Sequence, residues 1–572
     1  GHECTWGTDG EDNGRPATKQ FVESLRVKIQ QLESEVALLK QEQHQTQSPL
    51  TTHSHPSSII SEPSPVSADG RWGFGSTPSI IAFGQVLPEI QAQPLSQSHT
   101  PLEFPHLVQP TRLAPVEVPV VNPPSIAPVL RYEYIFNIDT SLSLDEQYPA
   151  HRASLICQWN RYLPDLSPVQ FSRFEHDTIL SRCFSYGACC SLGIVPDLFL
   201  AQLLEHLSPE GAHSRTIEES KYYTPLLHCS LLAFGAGLSD NPAIRAQQTR
   251  GRLATQAKER LDEEFNNPSL SLMISLVLLS QYHSGIGERN TGYMYMGMAL
   301  RAARIHSGLP NSPAQDWHCW SVFIQESLMA LEINRPSEHP VPLVPISCPI
   351  AIEPESRPPL ASSVTELLAH RDYFKYSARC FIQMCRLIVI ITQMINNRFT
   401  DKQIILDVHL KLEIWFNSLP DGVMIRQRAA LTFPPVLALH IVYWWFILHS
   451  HSPISEQSSI LTTEPVRDLS VKMCSRATDK LVQLFNTFDK QFGLRYFPRN
   501  LVKAIYACGC ALVIERDSAS SASRKKRATA MEGIEFCIHA LKVIGDIWPV
   551  AICMSEELES SAGIEPSASI RG

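Results

Sequence analysis

Over most of the chain after residue 130, apolar residues recur every three or four positions, punctuated by Gly and Pro, and clean alternation is scarce. That spacing is the signature of helices with one buried face, so the pattern predicts an all-α fold. The stretch Thr291–Ser307 shows the logic. Met294, Met298, Ala302 and Ile305 fall at helical spacing, Thr291 can cap the start, and Gly308 with Pro310 ends the run. Two longer apolar runs, Leu270–Leu279 and Val436–Leu448, read as core helices. Both are shorter than the ~20 residues that a spanning helix needs, so no membrane partner is expected.

A different period marks the N-terminal region. Val22, Ile29 and Val36 form one apolar series, and Leu25, Leu32 and Leu39 the other, seven residues apart. β-Branched residues in the first series with Leu in the second favour a parallel two-stranded coiled coil. Lys28 would face Glu33 of the second copy, and Glu35 would face Lys40, so like chains pair opposite charges. Residues 21–44 are therefore expected to make a homodimer, weakly, since the pattern runs for under three heptads.

Composition then divides the rest. Residues 45–130 are rich in Pro, Ser, Gln and His, with prolines recurring from Pro49 through Pro56, Pro63, Pro78 and Pro88 to Pro128. With amide donors missing and no sustained apolar period, this segment is expected to be a disordered linker. Residues 131–553 carry the large helical domain, and 554–572 read as a loose acidic tail. The 15 cysteines include no CxxC pair, which fits reduced intracellular thiols better than a disulfide framework. The net charge of -9 gives no basic footprint of the kind a nucleic-acid partner requires. Residue 1 is Gly and no apolar signal segment follows it, so the natural start is expected to lie upstream.

Ahead of the heptads stand Gly1-His2-Glu3-Cys4-Thr5-Trp6 and, after a polar arm, Arg15-Pro16-Ala17-Thr18-Lys19. A cysteine, a short linker with a proline and a coiled coil resemble the arrangement in fungal zinc-cluster transcription factors, whose binuclear cluster uses six cysteines. Four later stretches are similar to the middle regulatory domain of that family. They are Tyr222-Tyr223-Thr224-Pro225-Leu226-Leu227, Gly292 to Arg304, the aromatic run Trp317 to Phe323 leading to Asn334-Arg335-Pro336, and Leu439 to Trp445. The first of these, with Tyr282-His283-Ser284-Gly285, looks most like the branch of nitrate-assimilation and xylanolytic regulators.

The resemblance implies that residues 1–20 are the remnant of a zinc cluster and its arm, with Cys4 as the sixth ligand. Six thiolates, two of them bridging, give two zinc ions tetrahedral sulfur shells, and a helix of that module reaches the DNA major groove. The five earlier ligands are not in this chain, so it is not expected to bind zinc or read DNA by itself. Between Gly1 and His44 there are five basic and eight acidic side chains, which places the phosphate-binding charge upstream. The function implied for the complete protein is a nuclear, sequence-specific RNA polymerase II regulator, with coactivators or the general machinery as further partners. The competing reading is a helical scaffold or transcriptional cofactor without DNA contact.

The remaining candidates are weaker. Arg524-Lys525-Lys526-Arg527, in a Ser/Ala-rich stretch read as a loop, could serve nuclear import. His440, His449 and His451 do not fall on one helical face, so core histidines are expected there rather than metal ligands. Tyr443 to Phe446 read as core. Gly285-Ile286-Gly287 lacks a P-loop lysine and reads as a turn between helices. No catalytic signature such as GxSxG or HExxH is present, and no enzyme is expected.

Overall fold

A computed structural model describes residues 157–188, 191–207, 222–266, 268–306, 313–349, 373–396, 402–425, 431–456, 464–518 and 523–564. All of them belong to one compact unit, residues 84–572. The heptad region 21–44, Cys4 and the linker 45–130 lie outside the described residues.

The helices in chain order are α1 Arg173–Cys183, α2 Pro196–Leu207, α3 Pro225–Gly235, α4 Gln247–Lys258, α5 Leu261–Asn266, α6 Leu270–Gly285, α7 Arg289–His306 and α8 Pro313–Ile333. They continue with α9 Tyr373–Asn396, α10 Lys402–Asn417, α11 Pro434–Glu456, α12 Glu464–Phe492, α13 Val502–Ser518, α14 Arg524–Gly545 and α15 Val550–Ala562. No strand occurs among the described residues, so the all-α expectation holds. The closest helix pairs are neighbours in sequence: α6 with α7, α11 with α12, and α13 with α14.

α6 is the centre of its half. Every residue from Leu270 to Gly285 is buried, as expected of a helix apolar nearly all round. Ser269 caps its start, its hydroxyl accepting from Leu272 N at 3.2 Å. It ends at Gly287, whose φ of 95° lets Glu288 N reach back to His283 O at 2.9 Å. The expected turn between helices is there.

α7 then lies on α6, but on a different face from the one expected. Met294 is 64% exposed and Ile305 57%, whereas Gly292, Met296, Ala299, Leu300, Ala303 and His306 are buried. Of the predicted seam, Ala302 alone is fully inside. The reason is closeness of approach. At Gly292 an added Cβ would stand 2.1 Å from Ser284 Oγ, and Ser280 Oγ donates to Gly292 O at 2.7 Å. The glycine face, not the bulkiest apolar stripe, sets the rotation of α7.

Three further expectations are corrected. The first concerns apolar length. Lys375–Ile395 in α9, 21 residues with mean hydropathy 1.5, is long and apolar enough to cross a membrane. Yet 78% of its apolar window is buried among the other helices, which is how a core helix reads. Second, the chain from 554 is not loose as far as 564. α15 runs through it because Met554, Leu558 and Ala562 form an i, i+4 seam against the core, and Gly563 in the left-handed region ends the helix. Third, Arg524–Arg527 do not sit in a loop but in the first turn of α14, all four exposed.

Candidate functional site

The stretches singled out in the sequence fall on four helices, α3, α7, α8 and α11. Thr224 caps α3, its hydroxyl accepting from Leu227 N at 3.2 Å, and Pro225 occupies the first turn where no amide donor is needed. The two tyrosine amides before it, Tyr222 N and Tyr223 N, both donate to Gln202 Oε1 on α2. The aromatic run Trp317 to Phe323 is wholly inside α8, where Trp317 packs on Phe381 of α9 at 4.1 Å. Tyr443, Trp444, Trp445 and Phe446 of α11 are buried as well, as expected of core.

Gly292 to Arg304 and the Asn334-Arg335-Pro336 end of the α8 stretch build a cleft. α8 ends at Asn334, whose φ of 53° is left-handed, with Arg335 N bonding Ala330 O at 2.9 Å and Asn334 N bonding Leu331 O at 3.4 Å. That double bond pattern satisfies the last carbonyls of the helix, and Pro336 prevents its continuation. The chain is thereby turned across α7. Glu326, buried on α8, accepts from Ser337 Oγ at 2.5 Å and Glu338 N at 2.7 Å, and burial raises its pKa. Tyr293 Oη of α7 donates to the Glu338 carboxylate, and the Arg335 guanidinium lies 5.3 Å over the Tyr293 ring.

Between these groups is a cavity of about 150 Å³. Met296, Leu300, Met329 and Ile333 give it an apolar lining, and Arg301, Arg335 and Glu338 a charged rim. Thioether side chains adapt their shape readily, so such a cleft suits a small apolar group or an inserted side chain. It holds no paired nucleophile and base.

The histidines are structural in their surroundings. His440 Nε2 donates to Val423 O at 3.0 Å. His451 bonds Ser470 Oγ at 3.0 Å and His409 Nδ1 at 3.2 Å, and burial pushes its pKa down to about 4. His449 is pushed to about 4 by burial too. A second buried pair was not visible in the sequence. His176 Nδ1 donates to Asp177 at 2.7 Å, its Nε2 meets His228 Nε2 at 2.7 Å, and Tyr223 Oη stands 3.4 Å from His228 Nδ1. With both rings neutral every contact has one donor and one acceptor: tyrosine to His228, His228 to His176, His176 to Asp177. Among the described residues no three His, Cys, Asp or Glu side chains converge to hold a metal, and most of the described cysteines are buried.

Residues 197–404 match the fungal specific transcription factor domain. That range holds α2 to α9, and so both the capped Tyr-Tyr-Thr-Pro stretch and the α7–α8 cleft. An uncharacterized transcriptional regulatory protein of Schizosaccharomyces pombe is 20% identical over 359 residues, covering 58% of this chain. The matched part spans 57% of that relative. No solved structure matches. Together these findings support a fungal-type transcription regulator, and the matched domain is that of a regulator family rather than an enzyme family.

The match stops at residue 404, but the packing continues past it. Arg499, in the turn before α13, makes a two-pronged bond to Glu332 of α8 at 2.8 and 3.0 Å, and also donates to Gln281 of α6 at 3.1 Å. Arg250 of α4 donates to Ala233 O at 3.2 Å and to Ile547 O, after α14, at 2.7 Å. Asp240 accepts from both Arg182 and Arg495. These braces were missed because partners so far apart in sequence leave no local pattern.

Proposed function

We propose that the complete protein is a sequence-specific, DNA-binding regulator of RNA polymerase II transcription, acting in the nucleus as a homodimer. In this reading Cys4 is the last thiolate of a binuclear zinc cluster that docks on DNA. Val22, Leu25, Ile29, Leu32, Val36 and Leu39 pair two copies. The helical domain tunes activation, with the α7–α8 cleft as its receptive surface for a coactivator or effector. The exposed Arg524-Lys525-Lys526-Arg527 turn serves nuclear import. The observation that carries the reading is the transcription factor domain over residues 197–404, which contains the cleft.

A second reading, a helical cofactor without direct DNA contact, is favoured by the net charge of -9 and by the excess of acidic side chains before residue 45. Zinc content and DNA affinity of the full-length gene product separate the two. The first reading expects about two zinc ions per chain and an affinity that falls steeply with salt as counterions are released. DNA affinity indifferent to salt and to zinc removal would leave the cofactor reading standing alone.

A further inference from the structure

The stripe of α7 that its hydrophobic pattern marks for burial is left at the surface. Met294 and Ile305 are exposed and Met298 is half-buried. Met294 also lines the α7–α8 cleft, so the exposed apolar strip runs into an apolar cavity. Surface of this kind is solvated poorly and favours a partner that covers it.

Gly297 keeps that cavity open. It stands inside α7, where glycine is the poorest helix former after proline. Packing does not call for it, because an added Cβ would meet only the far end of the Arg301 side chain, Nη1 at 3.5 Å. Since Gly297 forms part of the cleft wall, a larger side chain there would occupy the cleft instead. The space of about 150 Å³ suits one benzene-sized ring.

The rim sets the charge of the occupant. Its two carboxylates are engaged within the fold: Glu326 accepts from Ser337 Oγ and Glu338 N, and Glu338 accepts from Tyr293 Oη. Its exposed guanidiniums are not so matched. Arg301 donates to Gly297 O of its own helix at 3.1 Å, and Arg335 lies over the Tyr293 ring. Neither forms an ion pair with a carboxylate among the described residues. We propose that the cleft docks an acidic peptide segment of a partner protein. One aromatic side chain enters between Met296, Leu300, Met329 and Ile333, and flanking carboxylates pair with Arg301 and Arg335, whose planar forks match them. This assignment rests on the cleft being the receptive surface of the domain, and names the chemistry that it receives.

The test is fluorescence anisotropy of the whole chain with a labelled peptide carrying one Phe among Glu and Ala residues. Three copies serve as controls, with Gln for every Glu, Lys for every Glu, or Ala for the Phe. The parent peptide should bind saturably below about 100 μM, and more weakly as salt rises, since exposed charges are screened. Each control copy should bind at least about tenfold more weakly. Gly297→Leu, which fills the cleft, should weaken the parent peptide by about tenfold or more. The double change Arg301→Glu with Arg335→Glu should invert the preference, the Lys copy becoming the tighter ligand. Both arginines are exposed, so the double variant keeps the test decisive if Gly297→Leu does not fold. No saturable binding, equal affinity for the Gln copy, or an unaltered preference in the double variant would overturn the assignment. Phenylacetate binding as tightly as the peptide would also overturn it, making the cleft a small-molecule site. Promoter output in cells carrying Gly297→Leu separates the two claims. A changed output without peptide binding removes only the acidic peptide, and an unchanged output removes the cleft as a receptive surface.

Discussion

Of the three arginines buried among the described residues, Arg182, Arg250 and Arg499, the last two are treated in opposite ways. Arg499 is 2% exposed on its side chain and meets a carboxylate head-on in Glu332, with an amide oxygen of Gln281 beside it. Arg250 is fully enclosed and meets no carboxylate among the described residues. It has two carbonyl oxygens, the Trp548 ring at 4.3 Å and the Tyr282 ring at 5.3 Å. Burial holds its pKa at about 10, still charged at neutral pH. One cation is neutralised by an opposite charge, the other is solvated by dipoles and π faces. Both do the same architectural work. Each ties helices beyond residue 404 to the matched range 197–404, so that range is braced by a part of the chain the match does not reach.

The difference predicts different costs of breakage. Glu332→Ala strands the Arg499 charge in the interior and should cost about 3–5 kcal/mol, the largest effect of any single change considered. Urea unfolding at pH 7 reads it as a lowered midpoint with unchanged slope. Arg250→Met removes a cation that had no anion, so no charge is stranded; two carbonyls lose a donor and two rings lose a cation. The expected loss is about 2 kcal/mol, and a loss above that for Glu332→Ala would contradict the comparison. The double change Arg499→Met with Glu332→Leu should cost less than Glu332→Ala alone, about 1–2 kcal/mol, because both charges leave together. Additive losses in that cycle would mean that the pair is not coupled.

The smallest effect belongs to Asp240, which bridges Arg182 and Arg495 near the surface with 47% of its side chain exposed. Asp240→Asn should cost about 0.5 kcal/mol at pH 7, since solvent screens the pair. The two guanidiniums hold its carboxyl below the usual value against the opposing effect of burial. The folded pKa is the lower one, so the stabilisation is present above the unfolded carboxyl value near 4 and fades as pH falls through the folded value. The gap between parent and Asp240→Asn should therefore close below about pH 4; a gap that widens there would reverse the sign.

How much of this was legible in the sequence follows from range. Local signals survived: the turn at Gly285-Ile286-Gly287 follows α6, and the aromatic run of α11 is core. The phase of α7 was misread because hydrophobicity favoured Met294 and Ile305, while the decisive term was the backbone approach at Gly292. The helix through 554–562 was misread because its seam has only three apolar residues among acidic ones. Within the cleft, both contributing stretches were singled out beforehand, yet their meeting depends on the left-handed Asn334 that folds Glu338 onto Tyr293. The bonds His176 to His228 and Arg250 to Ile547 join residues 52 and 297 positions apart, and no window along a sequence contains such pairs.

The central claim, that this is a DNA-bound regulator of transcription, is tested most directly in the native cells. The full-length protein would be crosslinked to chromatin and the enriched DNA compared with the transcripts altered when its gene is deleted. The account predicts enrichment at a discrete set of promoters, with the transcripts from those promoters changed on deletion. Chromatin recovery no greater than that of an untagged control, or altered transcripts unrelated to the enriched promoters, would contradict it.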